Sequence, residues 1–276
     1  MRRSYLIFIF SIFCIQWSVA QSEHWKKPLE IKIDRLSQVS FDNQGFIFVT
    51  NQEGNIYQYD GNGELLNNFS PSRQGKIDQI EAAWTVNIFT FSVDLQEYRI
   101  LDRFLNPISE NIIQQKDISL ARAATLGNNN IIWIYDESDF SLNQYDHRRN
   151  QILQKQPLNL ILTSSILQIQ EIKEYQNLVF LKIKDEGITI LDNQANFIKT
   201  MSIVDEQRLS FWKDNLLTVQ QQTLSITNYQ NGKSSEYKIP EYLDSHQVLI
   251  STQTVVFYDK ESLYIFSKAN TPLSNL

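Results

Sequence analysis

Short runs of alternating apolar and polar residues, separated by turn-forming residues, recur along most of the chain. The most regular example is residues 46–69, FIFVTNQEGNIYQYDGNGELLNNF. An apolar strand is predicted at 46–50, an alternating strand at 55–59 and a further strand at 64–69. Glycine- and asparagine-rich turns lie between them, and another strand precedes them within 36–42. Four strands in about 33 residues match the size of one propeller blade.

The same pattern predicts six units. The third strands of the units read YQYD, RILD, NQYD, TILD, ITNY and YIFS, and they end at Asp60, Asp102, Asp146, Asp192, Tyr229 and Phe266. Successive ends are 42, 44, 46, 37 and 37 residues apart. A period near 40 residues with four strands per unit is typical of β-propellers. A β-sandwich or barrel is the alternative all-β fold, but neither explains a period.

One unit that lacks a strand and one strand that lacks a unit indicate how the ring closes. The sixth unit lacks a fourth strand, and the alternating segment 29–34, LEIKID, lacks a unit of its own. Pairing the N-terminal strand with the last blade protects an otherwise open sheet edge. The sequence therefore predicts an all-β, six-bladed β-propeller of four-stranded antiparallel blades, with the last blade closed by an N-terminal strand.

The N-terminal residues have the features of a secretory signal peptide. Arg2 and Arg3 precede an apolar segment at 5–15, and Ser18-Val19-Ala20 matches a small-x-small cleavage site. A transmembrane anchor is the alternative, but the apolar run is shorter than the roughly 20 residues that a span needs. We predict a signal peptide at 1–20 and a single β-propeller domain at 21–276. The one cysteine, Cys14, then leaves with the signal peptide, so no disulfide is expected.

Charge and composition exclude some partners. The formal net charge is −6, and the chain has no long basic tract. Nucleic acid is not an expected partner, because binding to it depends on Lys and Arg neutralising phosphates. After signal removal no remaining segment is long and apolar enough to predict a membrane span.

Residues 39–60, VSFDNQGFIFVTNQEGNIYQYD, resemble the repeat of NHL-type and related six-bladed propellers. In that repeat a strand ending in Asp is followed by Gly, an apolar strand, and a strand ending in an aromatic-Asp pair. The chain has only 8 Gly and 6 Pro, so the likeness is one of architecture. The leader that ends in Ala-Gln, together with the Asn-, Gln- and Ile-rich composition, resembles envelope proteins of Bacteroidetes-type bacteria. This resemblance implies an exported protein in the periplasm or at the periplasmic face of the outer membrane, with the cell surface as a further location.

Candidate catalytic and metal-binding residues are few. His24, His147 and His246 show no metal-ligand spacing. The segment 60–64, DGNGE, resembles half of a calcium loop, but Leu65 stands where that loop needs glycine, and a type I′ turn explains the same residues. The segment 210–213 is formally S-x-x-K, without the accompanying K-T-G and S-D-N motifs. We predict no catalytic residue, no cofactor-binding residue, no metal ligand and no cofactor.

Aspartates recur at predicted strand ends, at Asp102, Asp146 and Asp192, and an acidic turn occupies 136–139. Paired carboxylates hydrolyse glycosides in many enzymes. Aspartate at a strand end also accepts backbone N–H groups, which explains why these residues repeat with the fold. We expect this second role.

Three classes of function remain open. The first is a non-catalytic scaffold for protein interactions, with an envelope or outer-membrane protein as the partner. The resemblance to envelope proteins makes a soluble partner of an outer-membrane protein-secretion assembly one specific form of it. The second is a propeller that binds a carbohydrate or another small ligand. The third is a hydrolase or lyase that uses residues of one face of the ring.

Overall fold

The structure is a computed structural model that describes residues 25–82, 87–113, 118–128, 131–162 and 167–276. The predicted signal peptide, with Cys14, and His24 lie outside these residues. The described residues form β-strands and short 3-10 helices, and none of these helices is long and apolar enough to cross a membrane.

The strands group into six sheets of four, which we call blades 1 to 6. Blade 1 comprises β2 (Leu36–Phe41), β3 (Ile47–Asn51), β4 (Ile56–Tyr59) and β5 (Leu65–Phe69); blade 2 comprises β6 (Gln79–Glu81), β7 (Asn87–Ser92), β8 (Glu97–Asp102) and β9 (Pro107–Ile112). Blade 3 comprises β10 (Ala121–Leu126), β11 (Ile131–Asp136), β12 (Ser141–Asp146) and β13 (Gln151–Pro157); blade 4 comprises β14 (Ile169–Tyr175), β15 (Leu178–Ile183), β16 (Gly187–Asp192) and β17 (Phe197–Met201). Blade 5 comprises β18 (Ser210–Trp212), β19 (Asn215–Gln220), β20 (Thr223–Asn228) and β21 (Ser234–Lys238); blade 6 comprises β22 (Gln247–Ile250), β23 (Thr254–Tyr258), β24 (Ser262–Ser267) and β1 (Leu29–Lys32). The 3-10 helices are Leu158–Leu160, Glu241–Leu243 and Lys268–Asn270.

Each blade is an antiparallel meander, and the blades form a ring with the first strands innermost. The predicted fold, six blades of four antiparallel strands in a propeller, is confirmed. The predicted boundaries are close to the observed ones. In blade 2 the first strand, β6, spans Gln79–Glu81, and residues 83–86 after it lie outside the described residues.

The N-terminal strand completes the last blade, as the sequence predicts. β1 pairs antiparallel with β24, in a register that places Leu29 opposite Ile265 and Lys32 opposite Ser262. Just before β1, Trp25 packs its ring edge-to-face against Phe257 and Phe266 of blade 6. The chain therefore joins its first residues to its last blade by both a hydrogen-bonded ladder and an aromatic contact.

One hydrophobic cluster fills each gap between neighbouring blades. The cluster between blades 3 and 4, for example, contains the buried residues Trp133 and Tyr135 of blade 3 and Ile169, Val179 and Leu181 of blade 4. Five similar clusters occupy the other gaps. Both faces of the second and third strands are covered in this way, which explains their nearly continuous apolar runs. The outermost strands are covered on fewer sides and are largely exposed.

The turn at residues 60–64 differs from the predicted type I′ turn. Within it only Gly63 has a positive φ, of 79°, whereas a type I′ turn needs two such residues. The N–H of Gly63 donates to the carbonyl of Asp60 at 3.0 Å, and the N–H of Asp60 donates to the carbonyl of Glu64 at 3.0 Å. This is the three-residue hairpin loop in which a type I turn is followed by a bulge with glycine in the left-handed region.

Candidate functional site

The ring has two faces, and the one where the first strands begin is called the entry face. It carries the connections between blades and the turns between second and third strands. The first strands start there at Leu36, Gln79, Ala121, Ile169, Ser210 and Gln247. The opposite face carries the remaining turns.

Bulges interrupt three first strands close to the entry face. The register with the neighbouring strand shifts between Leu36 and Gln38, between Ala121 and Ala123, and between Ile169 and Glu171. The extra residues are Ser37, Arg122 and Gln170. A bulge leaves its extra residue outside the ladder and redirects its side chain, so these three positions do not follow the alternation of the rest of the strand.

A polar funnel opens on the entry face at the centre of the ring, with a volume of about 330 Å³. Blades 2, 3, 4 and 5 all contribute to its wall. Its charged residues are Lys76, Asp78, Asp94, Arg122, Glu171 and Arg208. Positive and negative groups are therefore equal in number around it.

In the wall of the funnel, Arg208 of blade 5 bridges the ring. Its Nη2 donates to Oε1 of Gln79, which lies 129 residues away in blade 2. The same atom donates to Oε1 of Glu171 in blade 4 at 3.1 Å. Glu171 accepts a second bond through Oε2 from the N–H of Leu209, at 2.9 Å. The guanidinium and its carboxylate are thus engaged by the protein itself.

Glu81 extends this network into blade 3. Its carboxylate accepts bonds from Gln79 Nε2 at 2.6 Å, from Thr125 Oγ1 at 2.7 Å and from the N–H of Leu126 at 2.9 Å. Burial raises the pKa of Glu81 above its ordinary value, and the nearby charge of Lys173 opposes that rise. The polar side chains of the channel therefore serve to join blades.

Two charged groups of the funnel are left over. Lys76 pairs with Asp78 at 2.8 Å, and Arg208 pairs with Glu171. Arg122 and Asp94 are exposed, and neither has a hydrogen bond or ion pair with another described residue. They are the charges that the described chain leaves for a ligand.

Three exposed apolar side chains lie on the entry face of blade 3. Leu120, Phe140 and Leu160 expose 41%, 42% and 75% of their surface. Backbone bonds hold them at the same end of the blade: the carbonyl of Leu120 accepts from the N–H of Glu137 at 3.0 Å, and that of Phe140 accepts from the N–H of Leu158 at 2.9 Å. Together with Arg122 they form what we call the blade 3 track.

The structure keeps the histidines apart. His147 lies in a turn of the opposite face, where its ring packs edge-on against Tyr98. Burial, aided by the charge of Arg148, lowers the pKa of His147. His246 lies between blades 5 and 6, with its Nε2 at 3.4 Å from Oδ2 of Asp259. Within the described chain no three His, Cys, Asp or Glu side chains are grouped so that they would hold a metal ion.

The S-x-x-K segment does not assemble a nucleophile. Ser210 Oγ donates to the carbonyl of Val248 at 2.5 Å, which ties blade 5 to blade 6. Lys213 lies in the next turn with its ammonium 5.4 Å from the ring centre of Trp212. The serine of this segment therefore lies in a strand and its lysine in the next turn.

The aspartates at the ends of the third strands cap backbone. Asp102 Oδ1 accepts the N–H groups of Phe104 and Asn106, each at 2.8 Å. The same pattern, a carboxylate that accepts from the residues two and four positions later, occurs at Asp60 and Asp192. Asp136 of the acidic turn likewise accepts the N–H groups of three residues. These residues have the role expected from strand-end aspartates.

Sequence reasoning missed the track and the funnel. Arg122 is one arginine in an alanine-rich strand, and its position becomes informative only with the bulge. One signal was available: the run Ala121 to Leu126, ARAATL, breaks strict alternation, because Ala123 and Ala124 are both small and apolar. The cross-ring contact of Arg208 had no local signal, because its partner lies in another blade.

Comparisons with known proteins reach the fold and no further. No protein-family profile matches the chain, and no curated protein matches it in sequence. Among solved structures, the chain is similar to the WD40 domain of Pan2 from Neurospora crassa (TM-score 0.57, 13% identity, 82% of this chain and 73% of that one). It is similar to a streptogramin B lyase (TM-score 0.55, 14% identity, 89% of each chain). It is also similar to PorZ of Porphyromonas gingivalis, described as an essential bacterial surface component of the type-IX secretion system (TM-score 0.56, 12% identity, 85% of this chain but 31% of that one). At these identities the likeness establishes a β-propeller fold alone.

Proposed function

We propose that this protein is a non-catalytic scaffold that binds a partner protein at its entry face. One observation carries the proposal: the polar groups inside the channel are used to join blades, whereas an unpaired arginine and three exposed apolar side chains lie on the entry face. Arg208, Glu171 and Glu81 are bonded within the protein. Arg122 and the three apolar side chains of the blade 3 track lie at the surface. Exposed apolar clusters beside polar groups are typical of protein-binding sites.

The specific setting that we propose is the bacterial envelope. Residues 1–20 have the pattern of a signal peptide, and the composition resembles that of Bacteroidetes envelope proteins. Among proteins of similar fold, one is the PorZ component of a type-IX secretion system, of which this chain spans 31%. We propose a periplasmic or outer-membrane-associated location and a role as a soluble partner of an outer-membrane protein-secretion assembly.

A second candidate function is the binding of a small ligand in the funnel. The funnel volume of about 330 Å³ is at the lower end of the range of ligand sites. Arg122 and Asp94 together offer one positive and one negative group there. A streptogramin B lyase has a similar fold, so a hydrolase or lyase stays an alternative within this candidate. Asp94 is the carboxylate of the funnel that no described residue holds, so it would have to serve as the acid or base of such a reaction.

The test is site-specific photo-crosslinking in the native host. A photoreactive amino acid is placed at position 140 on the entry face and, as a matched control, at position 148 on the opposite face of the same blade. We expect one defined protein adduct in the envelope fraction from position 140 and none from position 148. Adducts from position 148 alone, or none from position 140, would overturn the proposal. Recovery of the protein in the cytoplasm would overturn its envelope setting.

A further inference from the structure

We infer that the blade 3 track binds an extended peptide segment of a partner protein, with an acidic group of the peptide on Arg122 and apolar side chains on Leu120, Phe140 and Leu160. The inference rests on the proposed function, because it names the chemistry that the entry face recognises. It adds the direction in which the segment lies, with the acidic group towards the ring centre.

By their places in the strand order of blade 3, the four residues follow a line from the ring axis to the rim. Arg122 belongs to β10, the innermost strand of blade 3, and Leu120 immediately precedes that strand, beside the turn that follows β11. Phe140 precedes β12, and Leu160 follows β13, the outermost strand. Neighbouring strands lie about 4.8 Å apart, so the line is roughly 14 Å long. An extended peptide of about five residues covers that length, since each residue advances about 3.3 Å.

The inner end of the line offers an unpaired cation. The bulge takes Arg122 out of the ladder and places its guanidinium at the funnel, where no described residue pairs with it. A guanidinium presents several N–H donors in a fixed fork that matches a carboxylate. The other cations of the funnel, Lys76 and Arg208, already have carboxylate partners. Asp94 is the nearest uncompensated negative charge of the funnel, so it should weaken, not create, the attraction for an anion.

Two of the three carboxylates in the acidic turn of blade 3 are engaged within the protein, so the turn opposes this preference only through Glu137. Asp136 is buried and accepts backbone N–H groups, including those of Ser119 and Leu120. Asp139 pairs with Lys155 at 2.6 Å. Glu137 is the carboxylate of the turn without a described partner, and it remains as an acceptor for an N–H of the peptide backbone. The track therefore offers one cation, one hydrogen-bond acceptor and three apolar surfaces. These groups complement the carboxylate, the backbone N–H groups and the apolar side chains of a peptide.

A displayed library of random octapeptides, selected on the purified protein, tests the inference. We expect enrichment of peptides that combine an Asp, Glu or C-terminal carboxylate with at least two apolar residues. For a selected peptide, Arg122→Ala should weaken binding roughly tenfold, the loss typical of a charge-assisted hydrogen bond. Replacing the acidic group of the peptide by its amide should have little further effect on that variant. Asp94→Asn should tighten binding.

Matched controls distinguish binding at the track from nonspecific binding to any exposed arginine or apolar side chain. Arg148→Ala removes an exposed arginine from the opposite face of the same blade and should leave binding unchanged. Leu160→Ser should weaken binding, whereas Leu65→Ser, at an exposed leucine of blade 1, should not. Thermal unfolding of every variant shows whether the fold is intact.

The inference and the proposed function can fail separately. No enrichment, enrichment without acidic groups, or equal binding by Arg122→Ala and the parent protein would overturn the inference. If position 140 still crosslinks to a partner protein while the selected peptide does not compete for it, the scaffold function stands and the peptide track is wrong. If the peptide binds as expected but no partner is crosslinked in cells, the scaffold function is wrong in that host.

Discussion

Trp25 offers a sharp test of how the ring is closed. Its indole packs edge-to-face on Phe257 and Phe266, with ring centres 5.4 and 5.2 Å apart. Its Nε1 donates to the carbonyl of Lys238, in blade 5, at 2.9 Å. The residue thus spans the junction between the fifth and sixth blades just before β1 begins. We predict that Trp25→Ala weakens the whole fold and not only the N-terminal strand.

The magnitude follows from these contacts. Each edge-to-face aromatic pair contributes about 1 kcal/mol, and the hydrogen bond contributes about 1 kcal/mol. Trp25→Ala should therefore lower the free energy of unfolding by about 3 kcal/mol. For a domain of this size, that is a fall in Tm of about 6 °C. Trp25→Phe retains the aromatic packing and loses only the hydrogen bond, so it should lose about 1 kcal/mol.

Urea unfolding followed by circular dichroism gives the free energies for both variants. A double-mutant cycle with Phe266→Leu isolates the aromatic pair, and its coupling energy should be about 1 kcal/mol. Hydrogen exchange should show earlier loss of protection in blade 6 than in blade 3 when Trp25 is Ala. The reasoning is refuted if Trp25→Ala changes the free energy by less than about 0.5 kcal/mol, the range of an ordinary surface substitution.

Other contacts give three further predictions. A Cβ on Gly127 would lie 2.0 Å from Oε2 of Glu174, a carboxylate that accepts from Nε1 of Trp133 and from the N–H of Asn128. Because Glu174 can move away only by giving up these bonds, Gly127→Ala should destabilise the fold by about 1–3 kcal/mol in urea unfolding, and an unchanged midpoint would contradict this. Burial raises the pKa of Glu81, so its contribution to stability is full below the ordinary glutamate pKa and is lost as pH rises through its folded value; Glu81→Gln should remove that part of the pH dependence, and parallel stability–pH curves would count against it. The N–H of Glu64 lowers the pKa of Asp60, so this cap stabilises above the ordinary aspartate pKa and weakens as pH falls through its folded value. Because water screens this exposed carboxylate, Asp60→Ala should cost no more than about 1 kcal/mol at pH 7 and less in strong acid, as measured by urea titration at both pH values.

The architecture could be predicted because it depends on a repeating local pattern. Alternation and turn residues marked the third strands of all six blades. The N-terminal strand had no unit of its own, and the sixth unit lacked one strand. The pairing of Leu29 with Ile265 is a long-range contact, yet counting strands was enough to anticipate it. Without β1, the last blade would have three strands and would leave β24 as its edge, so the strand count constrains the topology.

Turn geometry was less predictable. The chain has only 8 Gly, fewer than the turns of six blades would use if each had a glycine. The structure shows why: residues such as Leu105 and Ala195 adopt positive φ values, of 67° and 62°, at the position that Gly63 occupies in blade 1. These two side chains are buried, so packing between blades offsets a backbone strain that local sequence rules weigh as decisive. Tertiary contact, which no short window of sequence contains, decided the outcome.

The difference between local sequence pattern and the packing of blades also explains why an unpaired charge lies on the entry face. Closing a ring brings six first strands to one axis, and the polar side chains there have little water with which to bond. They must satisfy one another across blades, as Arg208 and Gln79 do over 129 residues. A charge placed on the regular alternation of a first strand is therefore recruited into the structure. A bulge removes a residue from that alternation, and of the three bulge residues Ser37, Arg122 and Gln170, only Arg122 carries a charge. Arg122 is therefore a charge that does not join blades, and it lies at the mouth of the channel. Its guanidinium is available to a partner.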